Sequence, residues 1–496
     1  MFYAPSELQP IIKSLTASEK AYFKKFSGAD KTANYILLFD YLDKNENSAE
    51  KDILKFFEKK KKSVKVHALC NYLYEQLMMA LYHAEIQRDG FSNHVYANNF
   101  AMDFLMRKAN FAAAKKIADR GCETANEQNM LFMRQQFEYR QYNLSIILSP
   151  QMPRHEIRAW TSKRLDTIEE LHWQTMFIGS NVLLYDYYRQ SSSYEQEKFI
   201  EQSNRVHEDI KSFDVQAKPW SAATKCLYYE YMETYYKYRR EDEHSKKLLS
   251  DELTFYQTEE TFRIRYQAKY LNFLWQYIQF LNLLCDETGI AELLNTVEEV
   301  KPSNDFELRF KDMIVLYAEM ILLRYAPHLL NNTEQAIVHA QSNFLREPNY
   351  LLSYSYSMQC LMYFFMKQNR WDEAAVLLEK LKDTKIKCHD FGHYMSIEFF
   401  EFGYHYHLKN YELLASLSMS LDRQINGKGK YLQSEKKFCL MVKYISENAT
   451  DENKCQAYMQ NTLKELKELF NRDYNKAKRP VFDAVQWVEE QIKQRT

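Results

Sequence analysis

Glycine and proline are almost missing from this chain: nine of each in 496 residues, well under half of their average usage of about 7% and 5%. Tight turns draw on these two residues. Glycine supplies positive φ, and proline pre-sets the first corner of a turn. A chain this poor in both cannot change direction often, which excludes a sandwich or barrel of short strands. Leu, Lys, Glu, Gln, Ala and Met, all good helix formers, are abundant instead, and Val is scarce. The expected fold class is all-α. The prolines agree, since a helix accepts proline at its start and not in its interior. Pro150, Pro153, Pro302, Pro327 and Pro348 fall at helix junctions, and Pro219 and Pro480 where helices would begin.

Composition removes several function classes. Lys+Arg total 66 against 67 Asp+Glu, a net charge of −1, so no global field favours nucleic acid or an acidic membrane. The one basic run, Lys59–Lys62, sits among nearly balanced charges over residues 1–90 and reads as a solvated helix end. Nucleic acid is not an expected partner. The opening MFYAPSELQPIIKSL lacks a basic stretch followed by an apolar core. No uninterrupted apolar run of about 18 residues exists, so a membrane is not expected either. The eight cysteines form no C-x-x-C pair and read as reduced, buried small hydrophobes. The expected location is cytoplasmic.

The best-defined segment is LMYFFMKQNRWDEAAVLLEKLKD. Trp371, Ala374, Ala375, Leu378 and Leu381 recur on one helical face. Leu361 and Phe365 mark the preceding helix, and Lys367–Arg370 form a polar turn: an αα-hairpin. Phe111, Ala114, Ala118 and Gly121 repeat the pattern, as do Tyr411, Leu414, Ser418 and Leu421. Aromatic at the turn, small residue three on, then apolar positions: this spacing resembles the tetratricopeptide (TPR) motif. Anchors near Ala114, Ile157, Glu197, Lys246, Leu293, Ala336, Ala374 and Leu414 stand about 38 to 49 residues apart, longer than the regular unit of about 34. The resemblance, to a degenerate long-helix form of the class, implies an α-solenoid of stacked antiparallel hairpins over 96–425. Residues 1–95 read as an N-terminal helical cap, where Thr16 and Glu19 have the form of a capping box. Residues 426–496 read as a C-terminal cap that follows the loop Asn426–Lys430. The opening SLTASEKAYFKKF with NYILLFDYL resembles the start of an uncharacterised bacterial helical family, a likeness that implies no activity.

No catalytic motif stands out. Only Gly427 and Gly429 lie close together, so phosphate-cradling loops and nucleophile elbows are absent. His389 and His393, four apart and beside Cys388 and Asp390, have the spacing of a helical zinc site. No Glu follows His389 to complete H-E-x-x-H, and the bland reading is polar residues at a helix start. The chain is therefore read as a non-enzyme needing no cofactor, with a metal-dependent hydrolase at His389/His393 as the remotest alternative.

Two stripes look more like a binding surface. On YLNFLWQYIQFLNLL, Asn272, Gln276, Gln279 and Asn282 trace one amide line along an otherwise apolar helix. Buried amides need hydrogen bonds, which a peptide backbone or a neighbouring helix would supply. On CLYYEYMETYYKYRRE, Tyr228, Tyr231, Tyr235 and Tyr238 share a face ending at Arg239 and Arg240. Tyr and Arg are enriched in binding hot spots, while inter-repeat packing is the simpler use of such rings. The absence of a repeated Lys-x-x-x-Asn pair argues against a clamp for a peptide C-terminal carboxylate. The expectation is a non-catalytic scaffold that holds a protein or peptide in its concave groove, through Asn272, Gln276, Gln279 and Asn282 with Tyr231 and Tyr235. The alternative is a regulator that senses a peptide or small ligand and acts on a partner or nucleic acid.

Overall fold

The computed structural model describes residues 4–26, 32–45, 49–87, 91–149, 153–190, 196–215, 217–239, 241–343, 351–385, 391–428, 433–474 and 482–493. Among these residues every regular element is helical, and no helix is long and apolar enough to cross a membrane. The fold is all-α. The chain divides into two compact units, 1–235 and 236–496.

The first unit opens with α1 (Pro5–Ser14), α2 (Ala17–Phe26), α3 (Asn34–Lys44), α4 (Glu50–Lys59) and α5 (Val66–Gln87). Leu8, Ile12, Phe23, Phe39, Leu42, Leu73 and Leu77 share one buried core. The capping box at α2 is formed: the Glu19 N–H donates to Thr16 Oγ1 at 3.2 Å, and the Thr16 N–H donates to Glu19 Oε2 at 2.8 Å. Next come α6 (Phe91–Arg107), α7 (Phe111–Glu127) and α8 (Leu131–Leu148), each packed on the one before. The small residues Ala114, Ala118 and Gly121 let α7 approach α8 closely. A Cβ added at Gly121 would lie 2.5 Å from Phe137 Cε1. Where the spacing predicts a hairpin of ordinary length near Ile157, α9 (Arg154–Gln190) instead runs unbroken for 37 residues. It is followed by α10 (Gln196–Glu208) and α11 (Ala222–Arg239), the latter crossing the boundary between units.

The second unit continues with α12 (Asp242–Thr258), α13 (Glu260–Arg265), α14 (Gln267–Leu284), α15 (Glu287–Glu299), α16 (Asp305–Tyr325) and α17 (Thr333–Asn343). Then follow α18 (Leu351–Lys367), α19 (Trp371–Lys385), α20 (Phe391–His407), α21 (Tyr411–Lys428), α22 (Gln433–Glu447), α23 (Glu452–Tyr474) and α24 (Ala484–Lys493). Packing runs between neighbours and next neighbours: α14 meets α15 and α16, α16 also meets α17 and α18, and α18 meets α19 and α20. Helices α14, α16 and α18 each meet both sequential and next neighbours. In α16, Leu316, Tyr317, Ala318, Met320, Ile321, Leu322 and Leu323 are consecutive or nearly so, and all are buried, as expected of a helix enclosed on every side. In α19, by contrast, Ala374, Leu377, Leu378 and Leu381 bury a single stripe.

The scarcity of glycine has its counterpart at the helix ends. Lys61, Ala109, Asn129, Cys285, Asn369 and Lys409 all take left-handed φ, between 54° and 57°. Each follows a helix, and in each the next N–H reaches back five residues, as in Asn110 to Leu105 O (2.9 Å), Arg370 to Phe365 O (2.8 Å) and Asn410 to His405 O (3.0 Å). This is the Schellman closure, usually built on glycine. Here one turn recurs without it, at a strain of about 1 kcal/mol per site. The basic run at Lys59–Lys62 is one of these turns. The sequence-based division at 95/96 falls inside α6 and that at 425/426 inside α21. The period is read from second helices, which leaves the start of each first helix unmarked. Asn426–Lys428, expected as loop, complete the last turn of α21.

Candidate functional site

The amide line on α14 runs from solvent into the core. Asn272 is exposed and Gln279 half-buried. The Gln276 side-chain carbonyl accepts from Lys237 Nζ at 2.6 Å. Asn282, 6% exposed, donates from Nδ2 to the Tyr356 hydroxyl at 3.1 Å, while its Oδ1 is sealed from solvent without a partner. The outer amides can meet a partner; the last is part of an interior polar cluster.

Tyr231 and Tyr235 of the tyrosine stripe lie within the first unit and are enclosed. Tyr231 is 0% and Tyr235 7% exposed. Tyr231 Oη lies 3.1 Å from His207 Nδ1, Tyr235 donates to Asn204 Oδ1 at 3.3 Å, and the His207 ring stacks on Tyr235 at 4.3 Å. Phe177, Phe213 and Tyr228 complete the aromatic packing. As placed, both rings join α10 to α11, and a partner could reach them only if those helices separated. Arg239 pairs with Glu241 at 2.7 Å; Arg240 and the side chain of Tyr238 lie outside the described residues.

His389 also lies outside the described residues, as does the side chain of His393. Among the described residues no group of three or more His, Cys, Asp or Glu side chains is placed to hold a metal ion. Burial pushes the thiols of Cys70 and Cys439 up to about 11 and about 12, beyond the range in which they react as thiolates at neutral pH.

What spacing did not reveal is a buried, unpaired arginine near the end of the amide line. Arg324, in the last turn of α16, is 7% exposed. Its guanidinium lies over the rings of Tyr325 (4.4 Å) and Tyr363 (4.5 Å). Nε and Nη1 are closed off from solvent and have no hydrogen-bond partner. Each aromatic face offers a desolvated cation about 2 kcal/mol, which offsets part of the burial and leaves the N–H groups unmet. Tyr356 and Tyr317 stand close by, their rings 5.0 Å apart. Burial raises the hydroxyl pKa of Tyr317, Tyr356 and Tyr363, and for Tyr363 the charge of Glu490 raises it further. These phenols are therefore neutral donors. The available signal was a lone Arg inside the apolar run MILLRYA, with tyrosines seven residues apart at 356 and 363.

Tyr363 also lines a pocket of about 690 Å³, within the size range of small-ligand sites. It lies where α18 and α20 end and α19, α21 and α23 begin, with α24 along one side. Trp371 and His407 form one wall, stacked at 3.6 Å and 9°. The Trp371 Nε1–H is sealed and unpartnered. Trp487 stands edge-on to Tyr406 at 5.1 Å, and Lys367 pairs with Glu490 across the rim. Burial lowers the His407 pKa, so its imidazole is neutral at pH 7. The walls are aromatic and the unsatisfied group is a donor, an arrangement that can bind and orient a ligand. Comparison with family models, curated proteins and solved structures finds no match for the chain.

Proposed function

We propose that this chain is a non-catalytic scaffold: an α-solenoid of TPR-like hairpins with helical caps, which holds a protein or peptide partner along its inner helices in the cytoplasm. The observation that carries the reading is the packing order of the second unit, in which α14, α16, α18 and α20 follow one another, each leaning on its own hairpin partner. A stack with only neighbour contacts is stable as a sum of local interfaces and leaves a long surface for recognition. The outer amides Asn272, Gln276 and Gln279 supply donors and acceptors suited to a peptide backbone. The test is affinity capture with the full chain and a triple alanine variant at these three positions. A partner held by the parent and lost by the variant supports the site. A partner held equally by both removes it, and capture of nothing by either removes the scaffold reading.

The pocket near α24 favours a second reading, in which the helical array senses a peptide or small ligand and acts on a partner. A ligand-dependent rise in Tm without any protein partner is its signature.

A further inference from the structure

We propose that Arg324 and the aromatic pocket beyond Tyr363 form one binding site for a carboxylate carried on a bulky apolar body. A guanidinium this deeply buried ordinarily has an anion beside it, because removing a charge from water without a counter-ion is unfavourable. Among the described residues Arg324 has none: its Nε and Nη1 hydrogens are sealed and unbonded. Its central carbon lies 4.4 Å and 4.5 Å from the ring centroids of Tyr325 and Tyr363, contacts that leave its N–H groups unmet, and the guanidinium fork matches a planar carboxylate. Lys367, which lies over the same Tyr363 ring, is already paired with Glu490, and Lys409 and Glu452 of the pocket lining are opposite in sign, so a monoanion matches the charge of Arg324 better than a phosphate dianion does.

The pocket sets the rest of the ligand. Tyr363 is partly buried; its ring lies beneath the guanidinium and also lines the pocket, so a turn of this one side chain joins the two. Side-chain rotations of this kind are fast. Trp371, Tyr406 and Trp487 would clasp an aromatic or large aliphatic group, and the unpartnered Trp371 Nε1–H would donate to a carbonyl. Carboxylate, adjacent carbonyl and apolar side chain together describe an acylated amino acid, either free or as the last residue of a peptide. This inference needs only that the second unit binds a ligand; it does not use the amide line, so loss of the capture result above leaves it standing, and the reverse.

The test uses the full chain with N-acetylphenylalanine, its amide, and inorganic phosphate at matched ionic strength. The acid, at about ten times its Kd, should raise Tm by about 3 °C, and the amide and phosphate should not. Arg324→Met should fold with equal or higher Tm, because it removes an unpaired buried charge of similar length, and should weaken the acid at least tenfold. If that variant does not fold, Arg324→Lys keeps the charge, loses the fork and should still weaken the acid about tenfold. A tetrapeptide ending in Phe, with free or amidated terminus, separates the sources. Tighter binding of its free form than of the single residue assigns the peptide terminus, and binding of the single residue alone assigns a small acid. Equal shifts from acid and amide overturn the proposal. So does no shift from the acid up to tens of millimolar, or unchanged acid affinity in the folded Arg324 variants.

Discussion

Ala109 and Lys409 hold backbone angles that glycine would take without strain, and both are exposed at helix ends. Ala109→Gly and Lys409→Gly should each stabilise the protein by about 1 kcal/mol, the left-handed strain outweighing the extra freedom of the unfolded chain. The urea midpoint is the measurement, and a fall in either variant would show that these turns are held by side-chain contacts instead. Gly121 is the opposite case. Its missing side chain is filled by Phe137, so Gly121→Ala should lower stability by about 1 to 3 kcal/mol despite alanine's better helix propensity. Residues of this sort were half legible. Ala114, Ala118 and Gly121 stand in the sequence as a small-residue stripe, yet nothing there says that one ring fills the gap. Arg324 shows in the sequence only as a lone charge in an apolar run, because spacing places a charge on a helix face without showing that no carboxylate meets it. Tyr231 and Tyr235 show the same limit: a stripe of rings reads identically whether it faces solvent or a neighbouring helix.

Between elements, the join of α16 to α17 rests on an ionic link. His339 is held by Glu319 (Nδ1 to Oε2, 2.6 Å) and Asp312 (Nε2 to Oδ1, 3.0 Å), and its hydrogen bonds to Asp312 and then Glu319 raise its pKa to about 10. In the unfolded chain the imidazole titrates near its ordinary value of about 6.5. A group bound more tightly by its proton in the fold contributes fully below the unfolded pKa, and that contribution fades as pH climbs to the folded one. His339→Gln should therefore cost about 1 to 3 kcal/mol at pH 6 and much less near pH 10. Urea melts of both proteins at the two pH values measure the difference; a penalty that does not change with pH would assign His339 a packing role. The hairpins themselves were well marked in the sequence. Phe111, Trp371 and Tyr411, picked out as the aromatic that opens a second helix, are the first residues of α7, α19 and α21. Their turns are short and polar, and the 3.6 period resumes at once. The length of α9 was hidden because no proline or glycine pair marks where its expected hairpin should or should not turn.

At the scale of the second unit, the proposed stack and a single cooperative globule make different predictions for the same lesion. Phe400 in α20 is 0% exposed and touches Phe482 of the segment leading into α24, ring centroids 5.3 Å apart. Phe400→Ala should cost about 3 kcal/mol through the cavity it leaves. In a stack where each hairpin answers only to its neighbours, that loss stays local. Amide hydrogens of α18 to α24 should exchange roughly a hundredfold faster, while those of α12 to α15, several neighbours away, keep their parental rates. A closed globule that opens all at once would spread the same acceleration over every slow amide from α12 to α24. Hydrogen exchange read by mass spectrometry resolves these segments. Uniform acceleration would remove the solenoid reading together with the long recognition surface it implies, whereas a gradient falling away from α20 would support both.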